Sequence, residues 1–543
     1  MTAHRELLAS YVPVLIQRRL ANDPQPVNSA RLERLPASVL FADLSGFTPL
    51  TERLAQEGPA GAEELSSVVN AYFERMVDLI FAHGGDVIKF AGDATLAVWT
   101  DSDEENPDER LKALVLRAAC CALEIQEKLN GYQVANDIRL HVKVGIGAGD
   151  IVVMHLGGVR DRWEILVAGD PLAQVGHAEK DARSGEVVLS PQAWQYVASC
   201  CQACLSPAGY AHLEKITAKL EPKPTTFPHL GSEADDALLG YIPGAIRSRL
   251  AAGHLRWLAE LRRVSVLFVN LPGLDQTASD ALAAMQHCIQ SLQTAIYRYE
   301  GAINKLNVDD KGITLVAVLG LPPLTHEDDT IRAVHVALAI EKELQASHLP
   351  YAIGLATGRV YCGEIGGQKR REYTIMGDIV NLAARLMQAA TNRILCDGTT
   401  QQAARARFQF ERLPKLHVKG KAEAVEVFRP IEDIQSKEKH SPLVGRVVEK
   451  AQLEKALDAL QNGQGGVVLI EGEAGMGKSR LLADLIDKAQ RRQVSCLVGV
   501  ADITERKRAY SAWRPILARV LEIDIRQETA VQRGERLAPV AKG

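Results

Sequence analysis

Apolar positions in the first third of the chain alternate between two periods. SVLFADL (residues 38–44) is a near-continuous apolar run with the composition of a buried strand. Leu65, Val68, Val69, Tyr72, Met76, Leu79 and Ile80 follow, spaced to line one face of a helix. A strand–turn–strand around Asp93 comes next, then a helix through Ala118–Leu129. Strands at His141–Gly147 and Glu164–Ala168 each feed a glycine turn. Short strands alternating with longer amphipathic helices predict an α+β domain with one sheet covered by helices.

The pattern occurs twice. SVLFADLSGF (38–47) is echoed by SVLFVNLPGL (265–274), and GGDVIKFAGDATLAVW (84–99) by GAINKLNVDDKGITLVAVLG (301–320). KVGIGAGDIVVMHLGG (143–158) returns as AIGLATGRVYCGEIGG (352–367), and ILVAGDPLAQVGH (165–177) as YTIMGDIVNLAAR (373–385). The offset drifts slowly, as expected of one fold duplicated with small insertions. The copies differ in their polar residues. Copy one has Asp43 and Asp93, and copy two has Asn270 in place of Asp43. Copy two has Asn381 and Arg385, where copy one has Ala173 and His177. Such reciprocal loss is expected of one composite site between two copies.

Asp43 ends a strand and Asp93 lies in a tight turn, so the two carboxylates can converge on divalent cations that also hold substrate phosphates. Equally, Asp43 can cap a helix and Asp93 fill a hairpin turn. Asn381 and Arg385, four apart on a helix after the Gly377 turn, project from one face. There they either meet a phosphate or are simply solvated.

Composition narrows the class. The chain has 543 residues, 47% hydrophobic and 24% charged, which suits about three or four soluble domains. A net charge of −4 gives no support to nucleic-acid binding. No apolar run is long enough for a membrane span, and the first residues lack a signal-peptide layout. The nine cysteines are expected to be reduced thiols of a cytoplasmic protein, with Cys201 and Cys204 an incidental C-x-x-C. The expected plan is an N-terminal helix and linker (1–35), copy one (36–205), a connector read as loop (206–261), copy two (262–431), a linker (432–442) and a third domain (443–543).

FADLSGFT, GGDVIKFAGDATLAVW, YTIMGDIVNLAAR and HVKGKAEAVEVF together resemble the class III nucleotidyl cyclase catalytic domain. Tandem copies followed by a P-loop resemble the soluble, bicarbonate-responsive adenylyl cyclases and their bacterial relatives. The resemblance implies two ferredoxin-like domains paired as a pseudo-heterodimer within one chain, monomeric for catalysis, making cyclic AMP and pyrophosphate from ATP. It implies that Asp43 and Asp93 hold two Mg2+ or Mn2+ ions and that Lys305 and Thr374 read the adenine edge. Phe47 and Thr48 would lie beside the nucleotide, Asn381 would orient the ribose, Arg385 would stabilise the α-phosphate, and Lys143 would meet the terminal phosphates. Adenine offers a donor at its 6-amino group and an acceptor at N1, which a hydroxyl and an ammonium complement. Guanine reverses that polarity, which disfavours a guanylyl cyclase. The other alternative is a degenerate pair acting as a nucleotide-sensing regulator. The general base is open between Asp43, water and substrate phosphate. The resemblance also implies a pseudo-site bordered by Lys89, Val167 and an Arg. Here Gly176 holds the Arg position, followed by His177, so little bicarbonate response is expected.

In the third domain, GGVVLIEGEAGMGKSRLLADLIDKAQRR (465–492) reads as an apolar strand, G-x-x-x-x-G-K-S and an amphipathic helix. Gly472, Gly475, Gly477, Lys478 and Ser479 would cradle the phosphates of a second nucleotide, with Lys478 on the β/γ-phosphates and Ser479 on magnesium. PLVGR (442–446) resembles the entry to AAA-like ATPases. No apolar strand ending in Asp-Asp or Asp-Glu follows. The chain therefore reads as a fragment of a longer protein, with hydrolysis by this domain not expected.

Overall fold

The computed structural model describes residues 2–46, 50, 59–100, 106–135, 138–218, 220–221, 223–251, 260–274, 281–309, 311–322, 324–418, 423–433, 446–472, 478–492, 494–499 and a few positions between 513 and 520. The chain divides into two units, residues 1–406 with 410–431, and residues 407–409 with 432–543. Both copies lie in the first, apart from residues 407–409.

Two helices, α1 (Thr2–Ser10) and α2 (Val14–Asn22), precede the first sheet. Copy one then comprises β1 (Arg31–Ser45), α3 (Pro59–Ala82), β2 (Asp86–Ala91), β3 (Ala94–Trp99), α4 (Pro107–Leu129), β4 (Tyr132–Ala135), β5 (Ile138–Gly157), β6 (Trp163–Ala168), α5 (Asp170–Asp181), β7 (Val187–Leu189), α6 (Pro191–Val197), β8 (Cys201–Leu205) and β9 (Ala211–Ile216). After α7 (Asp235–Gly240) and α8 (Gly244–Ala251), copy two comprises β10 (Glu260–Leu271), α9 (Ala281–Arg298), β11 (Ala302–Asp309), β12 (Gly312–Leu319), α10 (Asp329–Ala346), β13 (Ala352–Gly366), β14 (Arg371–Met376), α11 (Asp378–Ala389), β15 (Ile394–Asp397), α12 (Gly398–Ala404), β16 (Phe408–Leu416) and β17 (Val425–Asp433).

The strand orders coincide. Sheet one runs β2-β3-β1-β5-β7-β9-β8 with β4 and β6 on β5, and sheet two runs β11-β12-β10-β13-β15-β17-β16 with β14 on β13. Even the irregularities repeat, since β2 shifts register between Val87 and Lys89 and β11 between Ile303 and Lys305. Period-two alternation divides β1 between two cores. Leu40, Ala42 and Leu44 meet the helices α3 and α4, whereas Ala37 and Val39 join Ile88, Val153 and Val167.

The strand expected at His141–Gly147 is part of the longer β5. β1 runs beside β5 from Ser45↔His141 to Arg31↔His155, so the glycines at 147 and 149 do not end it. Pro36 lies inside β1. β3 joins β1 only from Ser38 onward, so no ladder bond is lost on that side at Pro36.

Gly145 and Gly354 occupy equivalent places in β5 and β13. A Cβ at Gly145 would overlap the backbone of α5 at Val175 and Glu179, and one at Gly354 the backbone of α11 at Ala383 and Met387. These glycines let each helix lie directly on its sheet, which fixes the helix carrying Asn381 and Arg385.

The stretch between the copies, expected as loop, contains β9, α7 and α8. SYVPVLIQRRLA (10–21) and GYIPGAIRSRLA (240–251) show that the duplication includes the helix pair before each sheet. The two pairs share a core in which Leu8, Val12, Ile16 and Leu20 meet Leu238, Tyr241, Ile242 and Ile246. Burial of each such side chain contributes about 1.5–3 kcal/mol, so packing rather than propensity holds these short helices. The copies also pack on one another. α3 lies on β13 and α9 on β5, and Tyr361, Ile365 and Met376 of copy two complete the core of copy one. No helix among the described residues is long and apolar enough to cross a membrane.

In the second unit, α13 (Val447–Gln461) packs against α14 (Lys478–Arg491), the helix expected after the P-loop. The expected strand before it is not formed. Residues 464–472 lie outside any strand, with Val467 and Leu469 exposed. A P-loop strand is stabilised by parallel neighbours, and none is present among the described residues of this unit.

Candidate active site

Asp43, near the end of β1, lies opposite Lys143 on β5, whose ammonium is 3.9 Å from the carboxylate. Lys143 is also ion-paired with Glu179 on α5 and donates to the Glu179 carbonyl oxygen at 3.3 Å. Burial, reinforced by the negative charges of Asp93 and Glu179, pushes the Asp43 carboxyl up to about 7. Asp93, in the β2–β3 turn, is likewise raised, chiefly by burial, and the charge of Lys305 opposes that shift. Asp93 belongs to copy one and Lys305 to copy two, so each feels the other's charge across the interface.

Lys305 lies on β11, next to the register shift, and is only 7% exposed. Burial lowers its ammonium pKa, while Glu372 and Asp93 raise it. Thr374 is buried on β14 opposite Gly363, and its hydroxyl donates to the Ile375 carbonyl at 3.5 Å. Asn381 is exposed and Arg385 half-buried on α11. Among the described residues, neither forms a hydrogen bond or ion pair with Asp43, Asp93 or Lys143. Phe47 and Thr48 lie outside the described residues.

Asn270, at the Asp43 position of copy two, has become structural. Its amide nitrogen donates to Thr314 Oγ1 at 3.1 Å, Lys311 O at 3.3 Å and Ile313 O at 3.4 Å. A carboxylate cannot make these donations.

The pseudo-site residues are not joined to one another by hydrogen bonds or ion pairs. Lys89 donates to the Leu306 carbonyl, and burial lowers its pKa to about 8 against the pull of Glu372 and Glu164. Val167 is buried with Val39, Ile88 and Val175, and His177 is exposed on α5. At the P-loop, Lys478 donates to Gly472 O at 2.7 Å. Gly475, Gly477 and the Ser479 side chain lie outside the described residues.

Three polar residues escaped the sequence reading. Glu179 neutralises Lys143, and Arg370 and Glu372 line a cavity of about 80 Å³ between the copies together with Lys89, Glu164 and Lys305. Glu372 lies two before Thr374, the spacing that places two strand residues on one face, and that signal was available.

Among the described residues no cluster of three or more His, Cys, Asp or Glu is arranged to hold a metal. Two carboxylates suffice for magnesium when substrate phosphates complete its shell. Both carboxyls are raised chiefly by burial, Asp43 further by the charge of Asp93, and a bound divalent cation would favour their ionised forms. The donor set fits that role.

The adenylate and guanylate cyclase catalytic domain model matches residues 32–222 and 258–429, most of the chain. The chain belongs to this family. An AAA ATPase domain model matches residues 442–541. Adenylate cyclase type 10 of Oryctolagus cuniculus is 28% identical over 506 residues, covering 83% of this chain and 31% of the relative. Its Homo sapiens counterpart is 27% identical over 532 residues, covering 89% of this chain and 32% of that protein. The chain thus spans about a third of the length of these curated relatives. Among solved structures, a class III adenylyl cyclase-like ATP-binding protein from Pseudomonas aeruginosa matches with a TM-score of 0.46 at 12% identity, covering 72% of this chain and 92% of that one. The adenylyl cyclase CyaB from the same organism matches with a TM-score of 0.30 at 22% identity, covering 32% and 96%.

Proposed function

We propose that this cyclase converts ATP to 3′,5′-cyclic AMP and pyrophosphate at one composite site. The observation that carries the reading is the joining of the Asp93 hairpin of one copy to strands β11 and β14 of the other, through Lys89 to the Leu306 carbonyl and Phe90 N to Glu372, while Asn270 has given up the reciprocal role. Mammalian relatives named adenylate cyclase type 10 support ATP as the substrate.

Asp43 and Asp93 would hold two Mg2+ or Mn2+ ions, which when bound lower the pKa of the 3′-hydroxyl and neutralise phosphate charge. The 3′-oxygen attacks the α-phosphorus in line, the new O–P bond closes the ring, and the bond to the β-phosphate breaks to release pyrophosphate. The hydroxyl proton passes to Asp43, water or a phosphate oxygen. Lys305 donates to adenine N1 and Thr374 accepts from the 6-amino group. Asn381 orients the ribose and Arg385 meets charge developing at the α-phosphate. Lys143 exchanges Glu179 for the terminal phosphates. Lys478 and its loop would hold a second nucleotide.

The test is purified protein with ATP or GTP and Mg2+ or Mn2+, followed by detection of cyclic nucleotides. Cyclic AMP from ATP is expected; absence of product under every metal, or cyclic GMP alone, overturns the reading.

A further inference from the structure

Among the described residues the hairpin carrying Asp93 is held from three sides, whereas its counterpart in copy two is met across the interface by Lys89, which donates to the Leu306 carbonyl. At its base, Asp86 accepts from the amides of Val14 at 3.0 Å and Leu15 at 2.7 Å, capping α2. The equivalent position in copy two is Ala302. At the register shift, Arg370 of copy two, only 3% exposed, donates through Nε to Val87 O at 2.9 Å and through Nη2 to Ile88 O at 2.8 Å. Its Nη1 donates to Tyr11 O at 3.1 Å and Arg371 O at 2.6 Å. Further along, Phe90 N donates to Glu372 Oε2 at 3.2 Å, and that oxygen lies 3.7 Å from Arg370 Nη2.

Arg162 is the counterpart of Arg370 and provides an internal comparison. It too reaches the turn of a helix pair, donating to Gly240 O at 3.3 Å. Its remaining bonds go to Trp163 O at 2.9 Å and Glu164 at 3.1 Å, both in its own copy. It makes no hydrogen bond to β11. Asn304 there donates instead to Tyr373 O at 3.2 Å within copy two. Only the guanidinium of copy two therefore grips the hairpin that bears a metal carboxylate.

We propose that Arg370 is a positioning residue for Asp93, setting the β2–β3 hairpin of copy one in register with the base-reading strand β14 of copy two. The inference rests on the cyclase reading and extends it to the residue that assembles the two half-sites. Three nitrogens of one planar group serve Val87, Ile88 and Tyr11, so a lysine, with a single nitrogen, keeps the charge and loses the geometry. Glu372 fixes the guanidinium and the Phe90 amide together.

The test uses the full chain and Arg370→Lys, Arg162→Lys and Glu372→Gln. Mn2+ is titrated against a fixed concentration of 3′-deoxy-ATP, which lacks the attacking hydroxyl and cannot cyclise, with thermal shift as the readout. Turnover of ATP is measured in parallel. Arg370→Lys is expected to raise the Mn2+ concentration for half-maximal stabilisation by about tenfold or more, the scale on which supporting residues tune metal sites. Arg162→Lys is expected to leave it at the parent's value. Glu372→Gln keeps an acceptor for Phe90 and the side-chain volume, and a smaller rise in the same direction is expected. An unchanged requirement in Arg370→Lys, or an equal rise in Arg162→Lys, overturns the proposal. If Arg370→Lys does not fold, Glu372→Gln decides: a rise supports positioning and no rise overturns it. A parent that makes cyclic AMP beside an unshifted Arg370→Lys sinks this inference alone. A parent that neither binds the nucleotide nor makes product sinks the cyclase reading with it.

Discussion

Asn270 stands in copy two where Asp43 stands in copy one, and its amide bonds to Thr314 and to the turn that follows β11. The same strand position thus accepts an amide without loss of the sheet. Asp43→Asn is therefore expected to fold with an unchanged circular dichroism spectrum and to abolish cyclisation, as is Asp93→Asn. Activity within about tenfold of the parent, a barrier change of about 1.4 kcal/mol, would overturn the two-metal assignment.

Metal binding is expected to depend on pH through Asp43. Its carboxyl is raised to about 7 by burial and neighbouring negative charge, so the metal-free folded protein binds that proton more tightly than the unfolded chain does. Its contribution to stability is full below the ordinary carboxylate range and is lost as pH rises through about 7. A divalent cation must displace this proton, so its apparent affinity rises with pH over the same window. Mn2+ is expected to raise the melting temperature more at pH 8 than at pH 6, with the difference abolished in Asp43→Asn. Equal shifts at both pH values would refute the linkage.

Base choice is expected to follow the polarity of Lys305 and Thr374. Lys305→Glu with Thr374→Cys inverts it, and two mismatched buried bonds at about 1–3 kcal/mol each should cut kcat/KM for ATP by about 100-fold while GTP begins to compete. Full ATP selectivity in the double variant would show that these residues do not read the base.

Bicarbonate at constant pH is expected to change activity little. Gly176 leaves open space where the pseudo-site needs a donor, and the Lys89 ammonium is engaged by the Leu306 carbonyl. Saturable activation that chloride does not reproduce, and that Lys89→Ala removes, would reverse this expectation.

Periodicity made the repeated strands and helices legible, reciprocal loss made Asp43, Asn381 and Arg385 stand out, and the tight turn marked Asp93. The helix pair between the copies was missed because α7 and α8 are short and follow a proline-rich stretch, so packing against α1 and α2 decides them. Their shared Tyr-x-Pro turn was visible in the sequence but carries no reactive group. Arg370 was not legible either, because backbone carbonyls of Val87, Ile88 and Tyr11 leave no trace in side-chain spacing. The strand before the P-loop was over-read: an apolar run has strand composition whether or not neighbours pair with it.

The pairing of the copies within one chain leads to the last prediction. Tyr11, before copy one, bonds to Glu364 in copy two, and Tyr241, before copy two, meets His155 in copy one at 2.7 Å. Each helix pair thus crosses to the other copy, so the interface is fastened twice by segments continuous with the sheets. A tethered partner also acts at an effective concentration of order millimolar. A monomer should therefore hold one composite site, and specific activity should not fall on dilution. Asp43→Asn protein mixed with Arg385→Ala protein should stay inactive, because each chain carries a complete but damaged site. Recovery of activity on mixing would show that Asp43 of one chain works with Arg385 of another, and the intrachain pairing would have to be given up.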